Sequence, residues 1–159
     1  MKINNTDIQL IVYDFDGVMT DNKVYVDSEG REIVRVDRAD GLSISEIKKL
    51  NIDQIIISSE KNPVVSARAS KLNILCIQGV SDKKTVLFNY CKTNDFDIKR
   101  TVYIGNDIND LEVMKFVGIS MCPADADNSV KRVSKYVLKT KGGSGVVREL
   151  LYLIMNNVG

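Results

Sequence analysis

Two aspartates, Asp14 and Asp16, stand two residues apart in Tyr13-Asp14-Phe15-Asp16, directly after the apolar run Ile8-Gln9-Leu10-Ile11-Val12. A short β-branched run of this kind reads as a buried strand that delivers both carboxylates to its C-terminal edge. On an extended segment, side chains two apart leave on the same side. Two such carboxylates repel each other, and a hard divalent cation held by oxygen ligands relieves that repulsion. Three more polar sets follow apolar runs. Ser58 and Ser59 come after Ile55-Ile56-Ile57, Lys83 comes just beyond Ile74-Leu75-Cys76-Ile77, and Asn106, Asp107 and Asp110 come after Val102-Tyr103-Ile104. Each has an ordinary reading as a helix cap, a surface charge or a first-turn acid. Four such sets on one sheet edge point instead to a single site.

The chain has no histidine. That excludes Ser-His-Asp triads, His-ligated zinc and phosphohistidine chemistry. Cys76, Cys91 and Cys122 have no CxxC spacing, and the residues six further on are Asp82, Asp97 and Asn128, so none begins a Cys-x5-Arg phosphatase loop. Reduced thiols are expected. Acids, bases and nucleophiles must therefore come chiefly from carboxylates, hydroxyls or lysines. A net charge of +1 gives nucleic acid no electrostatic advantage as a partner. No apolar stretch is long enough for a membrane span, and Met1-Lys2-Ile3-Asn4-Asn5 lacks the apolar core of a secretion signal, so a cytoplasmic location is expected.

The elements that must position these groups alternate. Further apolar runs at Gln54–Ile57, Ile74–Ile77, Thr101–Ile104, Gly118–Met121 and Tyr136–Leu138 are mostly continuous, as in strands covered on both faces. Between them, Ile44, Ile47 and Leu50, then Val86, Leu87 and Tyr90, then Leu111, Met114 and Phe116, and finally Val146, Leu150 and Ile154 carry helical spacing. The pattern predicts an α/β fold with a mainly parallel sheet flanked by helices, in one domain over 1–159. Lys23–Val36 breaks the rhythm with Val24 and Val26, a Ser28-Glu29-Gly30 turn, then Ile33, Val34 and Val36, which predicts a β-hairpin arm. The Gly-rich segment from about 141 to 148 reads as mobile.

Asp-x-Asp, then Ser/Thr, then Lys, then an acidic Gly-Asp-type loop resembles the haloacid dehalogenase (HAD) superfamily of phosphohydrolases, over nearly the whole chain. The resemblance implies a Rossmann-like HAD fold. It implies Asp14 as the nucleophile forming an aspartyl-phosphate and Asp16 as general acid, then base. Ser58 would hold the phosphoryl oxygens, and Lys83 would neutralise charge. Mg²⁺ would lie on Asp14, Asp16, Asn106 and Asp107, where Asn106 departs from the usual Gly-Asp-Asp spelling. A receiver domain uses similar groups, but its phosphorylated Asp should end the third strand, and none follows Ile57 or Ile77 here. The gaps between motifs leave no room for a cap domain.

Within the superfamily the chain is similar to capless phosphatases of 3-deoxy sugar-acid phosphates. Asp14–Asp21 matches Asp-x-Asp-Gly-Val-x-Thr-Asp, Gln78–Lys83 matches Gln-Gly-x-x-(Asp/Asn)-Lys, and Gly142–Glu149 matches Gly-Gly-x-Gly-x-x-Arg-Glu. The resemblance implies a sugar-acid phosphate as partner and Ser59, Glu60, Arg68, Lys71 and Arg148 as binders. Glu60 and Lys71 favour a nine-carbon nonulosonate (sialic acid or KDN-type) 9-phosphate over Kdo 8-phosphate. It further implies a homotetramer in which a neighbour completes an open site. A reading of another class is a non-catalytic oligomerisation module of a sialic acid cytidylyltransferase, whose C-terminal domain shares a Gly-Asn spelling.

Overall fold

The computed structural model describes residues 8–156; Met1–Asn5 lie outside them. Six strands form the main sheet: β1 (Leu10–Tyr13), β4 (Asp53–Ile57), β5 (Leu75–Ile77), β6 (Thr101–Ile104), β7 (Ile119–Cys122) and β8 (Tyr136–Val137). The sheet is wholly parallel and runs in the order β5-β4-β1-β6-β7-β8. The chain steps from β1 to β4 and β5 on one side, then returns to β6 on the other. That reversal opens a crevice beyond the carboxyl ends of β1, β4 and β6, where such sheets bind ligands.

Side chains alternate along β1, so one strand feeds two cores. Ile11 and Tyr13 face α1 (Arg38–Lys48), α2 (Val64–Leu72) and α6 (Val146–Met155), meeting Ile44, Ile47, Val65, Leu150 and Ile154. Leu10 and Val12 face α3 (Lys83–Asn94), α4 (Leu111–Phe116) and α5 (Asn128–Val133), meeting Leu87, Val113, Met114 and Val130. Coverage on both faces explains why these strands read as continuous apolar runs. Helix α5, six residues long, is too short to announce itself by periodicity.

The arm is an antiparallel hairpin of β2 (Thr20–Val26) and β3 (Glu32–Val36), starting three residues earlier than its apolar pattern suggests. No cap domain is inserted between the site-bearing strand ends, and none of the described helices is long and apolar enough to cross a membrane.

The Lys141–Gly145 segment, expected to be mobile, is packed down: Gly142, Gly143 and Gly145 are buried. Asp125 Oδ1 accepts from Gly142 N at 2.9 Å, and Gly143 N donates to Val18 O at 3.0 Å. Helix α6 is then capped from outside, because Asp40 of α1 accepts from Val147 N at 2.9 Å and Arg148 N at 3.3 Å. Asp40 is 2% exposed and its Oδ2 has no hydrogen-bond partner. Burial pushes its pKa to about 6, with the two amides and Arg68 pulling the other way.

A folded pKa above the unfolded value means that the stabilisation is complete below about pH 4 and is lost as pH rises through about 6. An ionised Asp40 thus costs on the order of 2–3 kcal/mol at neutral pH. Asp40→Asn keeps the capping oxygen and removes the charge. Relative to wild type, the variant should gain about 1–3 kcal/mol between pH 4.5 and 8 in urea unfolding, and a difference that stays flat with pH would contradict this.

Candidate active site

Strand β1 ends at Tyr13, and Asp14 N donates to Ile104 O, so the carboxylate leaves the sheet between β1 and β6. Asp14 Oδ1 accepts from Phe15 N and from Lys83 Nζ, each at 2.8 Å. Lys83 occupies the first position of α3, where Asp82 caps the helix by accepting from Thr85 N, and its ammonium reaches back under the sheet edge. There it also meets Asp110 Oδ1 at 2.8 Å. Asp110 is fully buried and saturated, since Tyr103 OH donates to it at 2.8 Å and the main-chain N–H groups of Asn106 and Asp107 at 2.9 and 3.3 Å.

One ammonium therefore serves two buried carboxylates. Burial, then the Asp110 charge, raise Asp14 to about 8 against the pull of Lys83. Burial opposes the Lys83 charge, but Asp14 and Asp110 outweigh it and hold its pKa above the usual value. Two carboxylates around one ammonium leave the cluster net negative, and positive charge in the cleft would balance it.

The oxygen set for such a cation is present. The outer tip of the Asn106 carboxamide lies 2.8 Å from the Asp16 main-chain oxygen and 3.2 Å from Asp14 Oδ2. With nitrogen at that tip the amide donates to both; with oxygen there, three oxygens converge. Neighbouring oxygens in a Mg²⁺ octahedron are about 2.9 Å apart, given ligand distances of roughly 2.0–2.1 Å. Gly17 makes the approach possible: at its φ of +81° a Cβ would lie 1.9 Å from the Asn106 amide. Among the described residues no cluster of three His, Cys, Asp or Glu side chains stands ready for a metal. The set here is instead one carboxylate, one main-chain carbonyl and one carboxamide, with the exposed Asp107 at the rim.

Asp14, Asp16, Ser58, Ser59, Glu60, Asn106 and Asp107 share one cavity of about 210 Å³ with Asn22 and Asn109. Ser58 Oγ accepts from Glu60 N at 3.1 Å, which leaves its own hydrogen for an oxygen in the cleft. Ser59 Oγ accepts from Asn109 Nδ2 at 3.2 Å. Glu60 Oε1 is held by Lys61 N and Asn62 N. Asp16 is half-buried, and burial, then Glu60, raise its pKa, with Thr20 and Lys83 opposing.

Three expected binders do not join this group within one chain. Arg68 and Lys71 lie along a groove between α1 and α2 with Arg38 and Leu42, and Arg68 Nη2 donates to Asp37 O at 2.9 Å. Arg148 is turned onto α1, its Nε donating to Ser43 Oγ at 2.9 Å and its Nη2 to Ala39 O at 3.3 Å. Helical spacing puts Arg68 and Lys71 on one face of α2, and that face looks at α1. Conversely, Asp110, placed on this edge by the sequence but given no role of its own, binds Lys83, and Tyr103 and Thr20, which the sequence reading did not single out, join the site through Asp110 and Asp16. The available signals were the place of Asp110 in the acidic loop after Ile104 and that of Thr20 inside the Asp14–Asp21 match.

The family model of haloacid dehalogenase-like hydrolases matches residues 2–150. The 3-deoxy-D-manno-octulosonate 8-phosphate phosphatase KdsC of Haemophilus influenzae is 33% identical, over 99% of this chain and 87% of that protein. The protein of the same name from Yersinia pestis is 35% identical, over 93% and 80%. A crystal structure of the Moraxella catarrhalis 3-deoxy-D-manno-octulosonate 8-phosphate phosphatase in complex with magnesium ion, phosphate ion and a KDO molecule superposes with a TM-score of 0.91 at 31% identity, covering 96% of this chain and 88% of that one.

Proposed function

Because the chain belongs to the haloacid dehalogenase-like hydrolases, and within them to the KdsC-type sugar-acid phosphate phosphatases, we propose that it hydrolyses 3-deoxy-D-manno-octulosonate (Kdo) 8-phosphate to the free sugar acid and phosphate. The observation that carries the reading is the buried Asp14–Lys83–Asp110 cluster opening onto the cleft that Asp16 shares. The same charges argue against a module kept only for assembly, which would have no use for an uncompensated buried carboxylate.

Asp14 attacks phosphorus while the bond to the leaving oxygen breaks, and Asp16 gives that oxygen its proton. Water then attacks the aspartyl-phosphate, Asp16 takes the water proton, and the Asp14 carboxylate is released. The raised pKa of Asp16 suits a group that must hold a proton at the start. Ser58 donates to a phosphoryl oxygen and Lys83 fixes Asp14. Asp14, the Asp16 main-chain oxygen and Asn106 would hold Mg²⁺, with Asp107 beside them. Bound there, Mg²⁺ supplies charge that lets an anionic carboxylate approach a phosphate dianion.

A second cavity of about 250 Å³ continues from Asp16, Asn22 and Glu60 to Val24, Glu32, Val34 and Val64. Among the described residues its lining carries carboxylates and no cation, which suits the hydroxyls of the leaving sugar better than its carboxylate. Glu60 in the cleft favours a second reading, a nonulosonate 9-phosphate. Arg68 and Lys71, expected to support that choice, stand outside the cleft of their own chain. The named relatives are Kdo 8-phosphate phosphatases over nearly the full chain, so the eight-carbon substrate takes precedence. We also propose that copies associate as a homotetramer through the arm, where Tyr25 and Ile33 are 73% and 63% exposed; light scattering reads the stoichiometry.

The test is phosphate release from a panel of sugar-acid phosphates with Mg²⁺ or with chelator. Kdo 8-phosphate should show the highest kcat/KM, and chelation should abolish turnover. A higher kcat/KM for a nine-carbon phosphate would transfer the assignment to the second reading, and release unaffected by chelator would remove the metal.

A further inference from the structure

The hydroxyl of Thr20 has a single hydrogen, and its surroundings leave one place for it. Thr20 is fully buried at the start of β2. Its Oγ1 accepts from Gly17 N at 3.1 Å and from Asn22 N at 3.2 Å, which fills both acceptor positions of a hydroxyl. The remaining hydrogen points to Asp16 Oδ1, 3.4 Å away. Among the described residues, Thr20 is the only group that hydrogen-bonds the Asp16 carboxylate. Asp16 itself is half-buried and lines both the catalytic cleft and the cavity beyond it. Without this tether its side chain has open space on two sides.

Thr20 is in turn fixed from both ends. It pairs with Val36 across the hairpin, and its carbonyl lies where a Cβ on Gly142 would approach to 2.9 Å. The hydroxyl is thus held by the surrounding backbone while its hydrogen faces a carboxylate with room to turn. We propose that Thr20 is a positioning residue that holds the Asp16 carboxyl toward the leaving oxygen, and so sets the rate of leaving-group protonation. This rests on the phosphatase reading above.

The test compares Thr20→Val, which keeps the shape and removes the hydroxyl, with Thr20→Ser, which keeps the hydroxyl. Each is assayed on 4-nitrophenyl phosphate, whose leaving group needs no proton, and on the best alkyl phosphate of the panel above. General acid catalysis is worth about 10²–10⁴-fold, and losing its alignment should remove a good part of that. In Thr20→Val, kcat/KM for the alkyl ester should fall by about 30-fold or more, and for the aryl ester by no more than about fivefold. Thr20→Ser should restore the alkyl rate to within a few fold. Because kcat/KM covers events only through release of the leaving group, slow dephosphorylation does not blur the comparison. Equal losses on the two esters, or a serine variant as impaired as valine, would overturn the role of Thr20 while leaving the phosphatase reading intact. A wild-type protein inactive on both esters would overturn that reading, and this one with it.

Discussion

Asp14→Asn lowers phosphate release by at least about 10⁴-fold and leaves the fold standing, if Asp14 is the group that bonds to phosphorus. The amide fills the same space but has no electron pair basic enough to attack, and it gives a cation no charge. The effect on stability should run the other way. Wild type buries two carboxylates around one ammonium, and Asp14 is raised to about 8 as a result. The substitution would leave Lys83 paired with Asp110 alone, a neutral set. Without Mg²⁺ the variant should therefore melt at or above the wild-type Tm, whereas added Mg²⁺ should raise Tm in wild type more than in the variant. Calorimetry with and without the ion measures this. Turnover within about tenfold of wild type would remove Asp14 from the chemistry.

The second large effect is expected at Gly142, which touches no reacting group. An added Cβ there would lie 2.2 Å from the Gly17 carbonyl and 2.9 Å from that of Thr20. The backbone at this position does not need a positive φ, so alanine meets only the steric conflict. Relief must come from the loop that carries the Asp16 carbonyl and Gly17, or from the tail itself. Misplacement by about 1 Å costs about 10²-fold in rate, so Gly142→Ala should lower kcat by about 10–100-fold and stability by about 1–3 kcal/mol. Its Mg²⁺ requirement should rise as well, because the moved loop holds one of the three oxygens. Ser144→Ala, at an exposed neighbour in the same segment, is the control and should change little. A fully active Gly142→Ala with an unchanged Mg²⁺ requirement would show that the tail and the loop are independent.

The parts of this fold that were legible in the sequence are those governed by local pattern. Leu10–Tyr13 announces a strand because its neighbours on both faces are apolar, and the two aspartates after it mark the ligand edge. The hairpin was readable from its alternation, although its first residues were not, since Thr20 is buried for its hydroxyl and not for an apolar face. What local pattern cannot give is direction. Arg68, Lys71 and Arg148 have the right types for an anion, yet α2 and α6 present them to α1. Glycines at 142, 143 and 145 suggested freedom, whereas packing uses Gly142 and Gly143 for the side chain they lack and the chain uses Gly145 for its φ of +95°. Asp110 was placed on the ligand edge by its loop, but only the return of Lys83 from a distant helix reveals the ion pair that it makes there.

The place of β1 in the sheet also bears on synthesis. This first strand pairs with β4, whose Asp53 stands opposite Leu10, and with β6, whose Thr101 stands opposite the same residue. A ribosome releases the Asp14 segment before β4, and its second neighbour emerges only after β5 and α3 have been made. The segment that wedges against Gly17 follows later still. Until then an apolar strand and two bare carboxylates wait without their partners, and long-range parallel pairing of this kind is slow to form. Nascent chains stalled before β6 should thus be protease-sensitive around residues 10–20, and protection there should arrive only with β6 and the segment that follows it.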